Sequence, residues 1–229
     1  LTKGAGVVLA AFSGGPDSVC LLHHFARLKQ TRGLRVHALH LDHGLRKEAG
    51  ADARFAVKLA NDLGIDIVVE KLLVREAALK LGRGVEDAAR TLRYRAYARW
   101  AKRLGLSAVA TGHQLDDQAE TLLLHLLRGA SVRGLGGIPP YRLLREGGPS
   151  CRIRVIRPLL ALTRVEVRAY LRAYRLPSRE DKSNRSEAYT RNWIRRRVLP
   201  LLATKNPQVR QRLATVAADA RRVLKLEGS

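Results

Sequence analysis

The sequence predicts an α/β protein: a doubly wound, mainly parallel five-stranded sheet followed by a helical C-terminal extension. Short apolar runs alternate with amphipathic helical stretches, in the repeating order strand then helix, and this is the pattern of a parallel sheet covered on both faces. The first run opens straight into a glycine-bearing loop and a helix start. Beyond residue 160 the strand signals stop and the chain becomes helical and strongly basic.

The first strand is read in Val7-Val8-Leu9-Ala10-Ala11-Phe12, and the helix after it spans Ser18 to Lys29. Between them lies Ser13-Gly14-Gly15-Pro16-Asp17-Ser18. Gly14 and Gly15 let the backbone turn so that its N–H groups converge on an anion. The helix N-terminus and the hydroxyls of Ser13 and Ser18 add donors. A plain strand-to-helix turn capped by Ser or Asp is the bland alternative. The common nucleotide loop ending in Gly-Lys-Ser/Thr is absent, as is Gly-x-Gly-x-x-Gly.

Leu34 to Leu41 reads as the second strand, ending in Asp42-His43-Gly44-Leu45-Arg46. Ligands of open parallel sheets sit beyond the strands' carboxyl ends, so His40 and His43 are expected at the nucleoside end of a bound nucleotide. A helix over 47–63, a third strand over 65–71 and a long helix from Glu86 to Leu104 follow. On the long helix, Arg90 and Arg93 lie one turn apart, close enough in register to share a phosphate.

The fourth strand, 107–111, feeds Gly112-His113-Gln114-Leu115-Asp116-Asp117-Gln118-Ala119-Glu120. Asp117 and Glu120 are three residues apart and Asp116 and Glu120 four, so these carboxylates share one helix face at a strand's carboxyl end. They suit either a Mg²⁺ ion shared with phosphates or a cationic substrate, and the residues alone leave both open. Gly134 to Pro140 reads as a mobile loop at the same mouth, and 145–150 as an exposed turn. Arg152 to Arg157 alternates like an edge strand, Thr163 caps a helix to about Tyr174, and 207–226 forms a last amphipathic helix.

Composition narrows the partner. The 229 residues carry a formal charge of +23, and residues 151–229 hold 20 Lys and Arg against 6 Asp and Glu, a net of +14. Arg191, Arg195, Arg196 and Arg197 crowd beside Trp193, which points to nucleic acid more than to an arginine-biased surface. Cys20 and Cys151 are too few and too separated for a zinc or iron–sulfur site. No apolar run approaches the roughly 18 residues that span a bilayer and no apolar signal segment opens the chain, so a cytoplasmic protein with no membrane association is expected.

Ser-Gly-Gly-x-Asp-Ser after a strand resembles the ATP pyrophosphatase (PP-loop) families, whose sheet is Rossmann-like, of the adenine nucleotide alpha hydrolase type. Further strings resemble one family among them, the tRNA(Ile)-lysidine synthetases: Asp42-His43-Gly44-Leu45, His113-x-x-Asp116-Asp117-Gln118-x-Glu120-Thr121, Arg157-Pro158-Leu159-Leu160, Glu180-Asp181-x-Ser183-Asn184, and Arg191-Asn192-x-Ile194-Arg195 with Val198-x-Pro200-Leu201-Leu202. The resemblance implies a ligase that adenylates C2 of the wobble cytidine of an isoleucine tRNA with a CAU anticodon. Free L-lysine then displaces AMP to give lysidine.

It also implies roles for residues. ATP would rest on Ser13, Gly14, Gly15, Pro16, Asp17, Ser18, His43, Gly112 and His113. Asp17, Asp117, Glu120 and Arg191 would serve catalysis, with Asp117 and Glu120 holding either Mg²⁺ or the lysine ammonium. Residues 1–160 would form the ATP-binding catalytic domain. Residues 161–229 would form a basic segment that completes the site and contacts tRNA, and a homodimer is compatible with this plan. A PP-loop thiolase, an amidating enzyme of the GMP-synthetase kind and a non-catalytic RNA-binding protein are the rival readings. The cysteine pattern, the basic C-terminal third and the intact acids weigh against them in turn.

Overall fold

The computed structural model describes residues 6–44, 49–144, 146, 151–179 and 189–225. Strands β1 (Val7–Ala11), β2 (Arg35–Asp42), β3 (Asp66–Lys71), β4 (Ala108–Ala110), β5 (Tyr141–Leu143) and β6 (Arg154–Ile156) form one sheet in the order β3-β2-β1-β4-β6-β5. All pairings are parallel except β5 with β6. The expected five strands are therefore six. Arg152–Arg157 does not supply an edge strand, because β5 pairs outside β6 and takes the edge. Val155 of β6 is fully buried accordingly.

The sheet is wound on both faces, as β1 shows residue by residue. Val8, Ala10 and Phe12 point into a core with α1 (Pro16–Arg32), α2 (Ala49–Asp62) and α6 (Arg164–Ala173). Leu9, between them, points to the opposite core with Tyr94, Tyr97 and Ala101 of α4 (Val85–Arg103). This alternation is the two-residue period of a strand buried on both sides. A short helix α3 (Val74–Leu81), absent from the sequence reading, packs on α4 through Val74, Ala78, Ala88 and Ala89.

Helix α5 (Leu115–Leu127) follows β4, and α9 (Val209–Val223) lies along it. Between them runs one helical stretch: α7 (Thr190–Trp193), a π-helical segment (Ile194–Val198) and α8 (Leu199–Lys205). Pro200, in the first turn of α8, has no N–H to return to Arg196, and the N–H of Leu199 reaches back five residues to the Ile194 carbonyl. Ile194 and Leu199 bury against Ala119 of α5, so the widened turn is anchored on the helix that carries the acids.

The stretch read as a mobile glycine loop is instead pinned. A 3-10 turn (Val132–Gly136) is held by His125 Nδ1 at the Gly134 carbonyl (2.6 Å). Gln118 donates to the Ile138 carbonyl (2.5 Å) and accepts from the Ile138 N–H (2.7 Å), and Arg221 donates to the Gly136 and Ile138 carbonyls. A Cβ on Gly137 would meet Gln118 Oε1 at 2.5 Å, so this seat requires glycine. The turn read at 145–150 and the Glu180–Asn184 string lie, except for Glu146, outside the described residues.

Candidate active site

β1 sits between β2 and β4, where the winding reverses, and crevices of doubly wound folds open at such a point. The loop after β1 and the loop after β4 form its two lips. Gly14 adopts φ +84, which L side chains rarely take, and its would-be Cβ faces the Phe55 ring at 3.2 Å. Its carbonyl accepts from the Arg179 N–H (2.9 Å). Ser18 donates to the Gly15 carbonyl (2.9 Å) and its Oγ accepts from the Ser13 N–H (3.2 Å), with the two hydroxyls 3.1 Å apart. The buried Ser18 hydroxyl, expected to contact an anion, is thus engaged in shaping the loop, while Ser13 is exposed at its rim.

The lips approach closely. A Cβ on Gly112 would lie 3.1 Å from the Asp17 carbonyl carbon and 3.2 Å from the Ser18 nitrogen. Pro16 opens α1, and Asp17 stands in its first turn. Burial, and then the charge of Asp117, push the Asp17 carboxyl up to about 6. His113, beyond Gly112, shares a hydrogen bond between Nδ1 and Thr111 Oγ1 (2.9 Å). Burial and the nearby charges of Arg157 and Arg191 push it down to about 3, so it meets a ligand as a neutral ring. His43 follows β2 at the same end of the sheet. His40 serves the fold instead: it is buried, with Nδ1 2.9 Å from the Phe12 carbonyl.

Gln114 and Asp117 cap α5 reciprocally. Gln114 Oε1 accepts from the Asp116 N–H (2.9 Å), and Asp117 Oδ2 accepts from the Gln114 N–H (2.9 Å). The remaining acid atoms face arginines from beyond residue 160. Arg191 reaches Asp117 Oδ1 through Nη2 and Glu120 Oε2 through Nε, each at 3.0 Å. Arg195 grips both oxygens of Glu120, and Arg164 Nη2 lies 3.3 Å from Oε1. Burial alone would raise the Glu120 carboxyl, but the bonds and charges of Arg195 and Arg191 outweigh it and hold the group below its usual range. At Asp117 burial prevails over Arg191, and the carboxyl is raised.

Asp116 does different work from its neighbours. Its Oδ2 accepts from the Arg164 backbone N–H (2.9 Å) and its Oδ1 lies 3.0 Å from Arg210 Nε, tying α6 and α9 to α5. Arg157, expected only as part of a string, is buried and donates Nη1 to the Pro139 carbonyl (2.6 Å). Arg90 and Arg142 lie over the Tyr94 ring, at 5.2 and 4.4 Å. No residue pattern along the sequence announces the Asp116 partnerships, which link segments 48 and 94 residues apart.

Glu120 accepts four guanidinium bonds on two oxygens and Asp117 has both oxygens engaged, so any further cation at these acids must displace an arginine. Among the described residues no group of three or more His, Cys, Asp or Glu is gathered to hold a metal. Asp17, partly exposed beside the anion loop and destabilised as an anion by its surroundings, has the chemistry of a carboxylate that seeks a cation. Cys20 is buried, which pushes its thiol up to about 11, so it is no ready nucleophile. No described helix is long and apolar enough to cross a membrane. An apolar groove beside Ala53, Val57 and Val69 is lined by residues of α2 and the edge strand β3 and by none of these groups.

The chain is 41% identical over 218 residues to the tRNA(Ile)-lysidine synthase of Dehalococcoides mccartyi, covering 95% of this chain and 46% of that protein. It is 47% identical over 197 residues to that of Symbiobacterium thermophilum, covering 85% and 39%. The chain thus spans about half the length of the curated relatives it matches. Among solved structures, a U34-tRNA thiolase from Methanococcus maripaludis superposes with a TM-score of 0.78 at 18% identity, over 97% of this chain and 74% of that one, which shows a shared fold. The PP-loop domain model matches residues 2–202, which takes in both lips of the crevice, the acids of α5 and Arg164, Arg191 and Arg195 that meet them, and the chain therefore belongs to the PP-loop domain family.

Proposed function

We propose that the chain forms the catalytic part of an enzyme that uses ATP to join L-lysine to C2 of the wobble cytidine in an isoleucine tRNA with a CAU anticodon. The observation that carries this reading is the pairing of a glycine-bearing loop, at the sheet's switch point, with a buried acid pair whose charge is met by the guanidiniums of Arg191 and Arg195. Relatives of 41% and 47% identity bear the name of that activity. Residues 1–160 supply the ATP site. Residues 161–229 bring Arg164, Arg191, Arg195 and Arg210 onto the acids of α5 and carry the charge that suits RNA.

The loop N–H groups and the α1 N-terminus hold the departing pyrophosphate, which is fixed-dipole stabilisation of developing charge. Gly112 lets the second lip close on the nucleotide, and His43 and the neutral His113 ring border it. A Mg²⁺ ion, held by Asp17 and phosphate oxygens, would neutralise the triphosphate. The cytidine O2 attacks the α-phosphorus, pyrophosphate leaves, and the base is activated at C2. The lysine ammonium is received by Asp117 and Glu120, where it takes the place of a guanidinium. The attacking amine must first shed a proton, and Asp17, released from the triphosphate's Mg²⁺ once pyrophosphate has left, would accept it, its carboxyl in the ligand-free fold lying near 6. AMP then departs.

The test is AMP release on incubation with Mg-ATP, lysine and an isoleucine-type CAU transcript. The reading predicts AMP formation that requires all three. AMP formed at the same rate without RNA would overturn it.

A further inference from the structure

The helical stretch that holds Arg191 and Arg195 has a second face. Tyr189, Trp193, Arg196, Arg197, Pro200 and Leu201 succeed one another at intervals of one, three or four residues, and all six are exposed. The residues from Trp193 to Leu201, so spaced, share the outer side of the stretch, and Tyr189 adjoins them as the extended residue that caps α7. Arg191, Ile194, Arg195 and Leu199 turn the other way, onto α5. Tyr189 keeps 57% of its surface in water and Trp193 41%, an unusual outlay of aromatic area for a segment otherwise well anchored. No aromatic pair or cation over a ring engages either one among the described residues.

We propose that this outer face is a stacking platform for unpaired RNA bases, with Tyr189 and Trp193 taking base faces and Arg196 and Arg197 taking the adjoining phosphates. Unpaired nucleotides are recognised by such alternation of aromatic planes and cations. Charge favours RNA over a protein partner: this segment lies within residues 151–229, whose 20 basic residues face only 6 acidic ones. The platform shares its helix with Arg191 and Arg195, so RNA docked outside sits on the element that positions the acid pair inside. The inference rests on the RNA-acting reading and names the surface that reading lacks.

The experiment measures binding of a CAU stem-loop RNA, without ATP or lysine, to the wild-type chain and to Trp193→Ala, Trp193→Phe and Arg196→Gln/Arg197→Gln. Tryptophan emission is followed together with affinity across salt concentrations. The chain has two tryptophans, and Trp100 is bonded to Glu70, so a quench lost in Trp193→Phe reports on Trp193. The platform predicts that quench, affinity about 10-fold weaker in Trp193→Ala and largely restored by Phe, and a salt slope lowered by roughly one to two in the arginine variant. Circular dichroism confirms that each variant is folded. Tight binding unchanged by Trp193→Ala would overturn the platform and leave the RNA-acting reading standing. Concentration-dependent self-association abolished by Trp193→Ala, with RNA affinity unchanged, would overturn it in favour of a protein interface. No binding of RNA by the wild-type chain would overturn both.

Discussion

Arg195 grips Glu120 through two parallel bonds, 2.6 Å from Nε to Oε1 and 2.8 Å from Nη2 to Oε2, at a carboxylate with no solvent exposure. Arg191 instead divides its bonds between Glu120 and Asp117 and is more exposed. A bidentate pair is the stronger arrangement, so Arg195 is the fixed partner and Arg191 the exchangeable one. Removing Arg195 takes the two shortest of the four guanidinium bonds from a buried carboxylate, and Arg195→Ala should cost about 3 kcal/mol in urea unfolding. Arg191→Ala should cost about half as much or less, since Arg195 still covers Glu120. Equal losses would contradict this division.

Asp17 sets a pH dependence. Its carboxyl is raised to about 6 in the fold from an ordinary value near 3.8, so between those values the folded chain binds a proton that the unfolded chain has lost. Stability must therefore fall as pH rises through that window. Asp17→Asn should remove this slope and stabilise the ligand-free chain at pH 7.5 by on the order of 2 kcal/mol, while abolishing AMP formation. Urea midpoints between pH 4 and 8 decide it, and a midpoint difference that does not grow with pH would count against the assignment.

His113, held near 3 by burial and by Arg157 and Arg191, stays neutral across the working range. Its ring carbon resonances should be flat from pH 8 to pH 5 in NMR. A titration in that interval would show that the ring is cationic when it meets phosphate.

Gly112→Ala should loosen ATP binding by at least about 10-fold, because the new methyl meets Asp17 and Ser18 backbone rather than a movable side chain. Gly33, at φ +64 with open space about it, is the control: Gly33→Ala should cost about 1 kcal/mol of stability and leave nucleotide affinity alone. Nucleotide titration by calorimetry separates the two. Equal ATP affinities would mean that the lips are not in close contact when loaded.

What could be read along the chain was local. The strand, loop and helix of residues 7–32 follow from an apolar run, two glycines and a helical period. Thr163 caps its helix as read, and Glu166, which the reading did not name, closes the cap from the other side. The acids of α5 share a face as their three- and four-residue intervals require. What escaped was set by distant contacts. β5 is three residues long and exists through pairing with β6, and α3 is eight residues with Leu79 left exposed. The loop at 134–138 looked mobile because glycines mark loops, whereas Gln118, His125 and Arg221 hold it from two helices. The acid pair left a metal and a cationic substrate both open because nothing in its own segment reveals the arginines that arrive 71 to 75 residues later.

The central claim is that the crevice activates a base on RNA and the acid pair delivers lysine to it. The most direct measurement is transfer of radiolabelled lysine into a CAU isoleucine transcript, followed by nuclease digestion and identification of the labelled nucleoside. The account predicts label that depends on ATP, resides on the wobble cytidine, disappears when that cytidine is replaced by uridine, and is lost with Glu120→Gln. AMP release with no lysine in the RNA, or label indifferent to the wobble base, would contradict it.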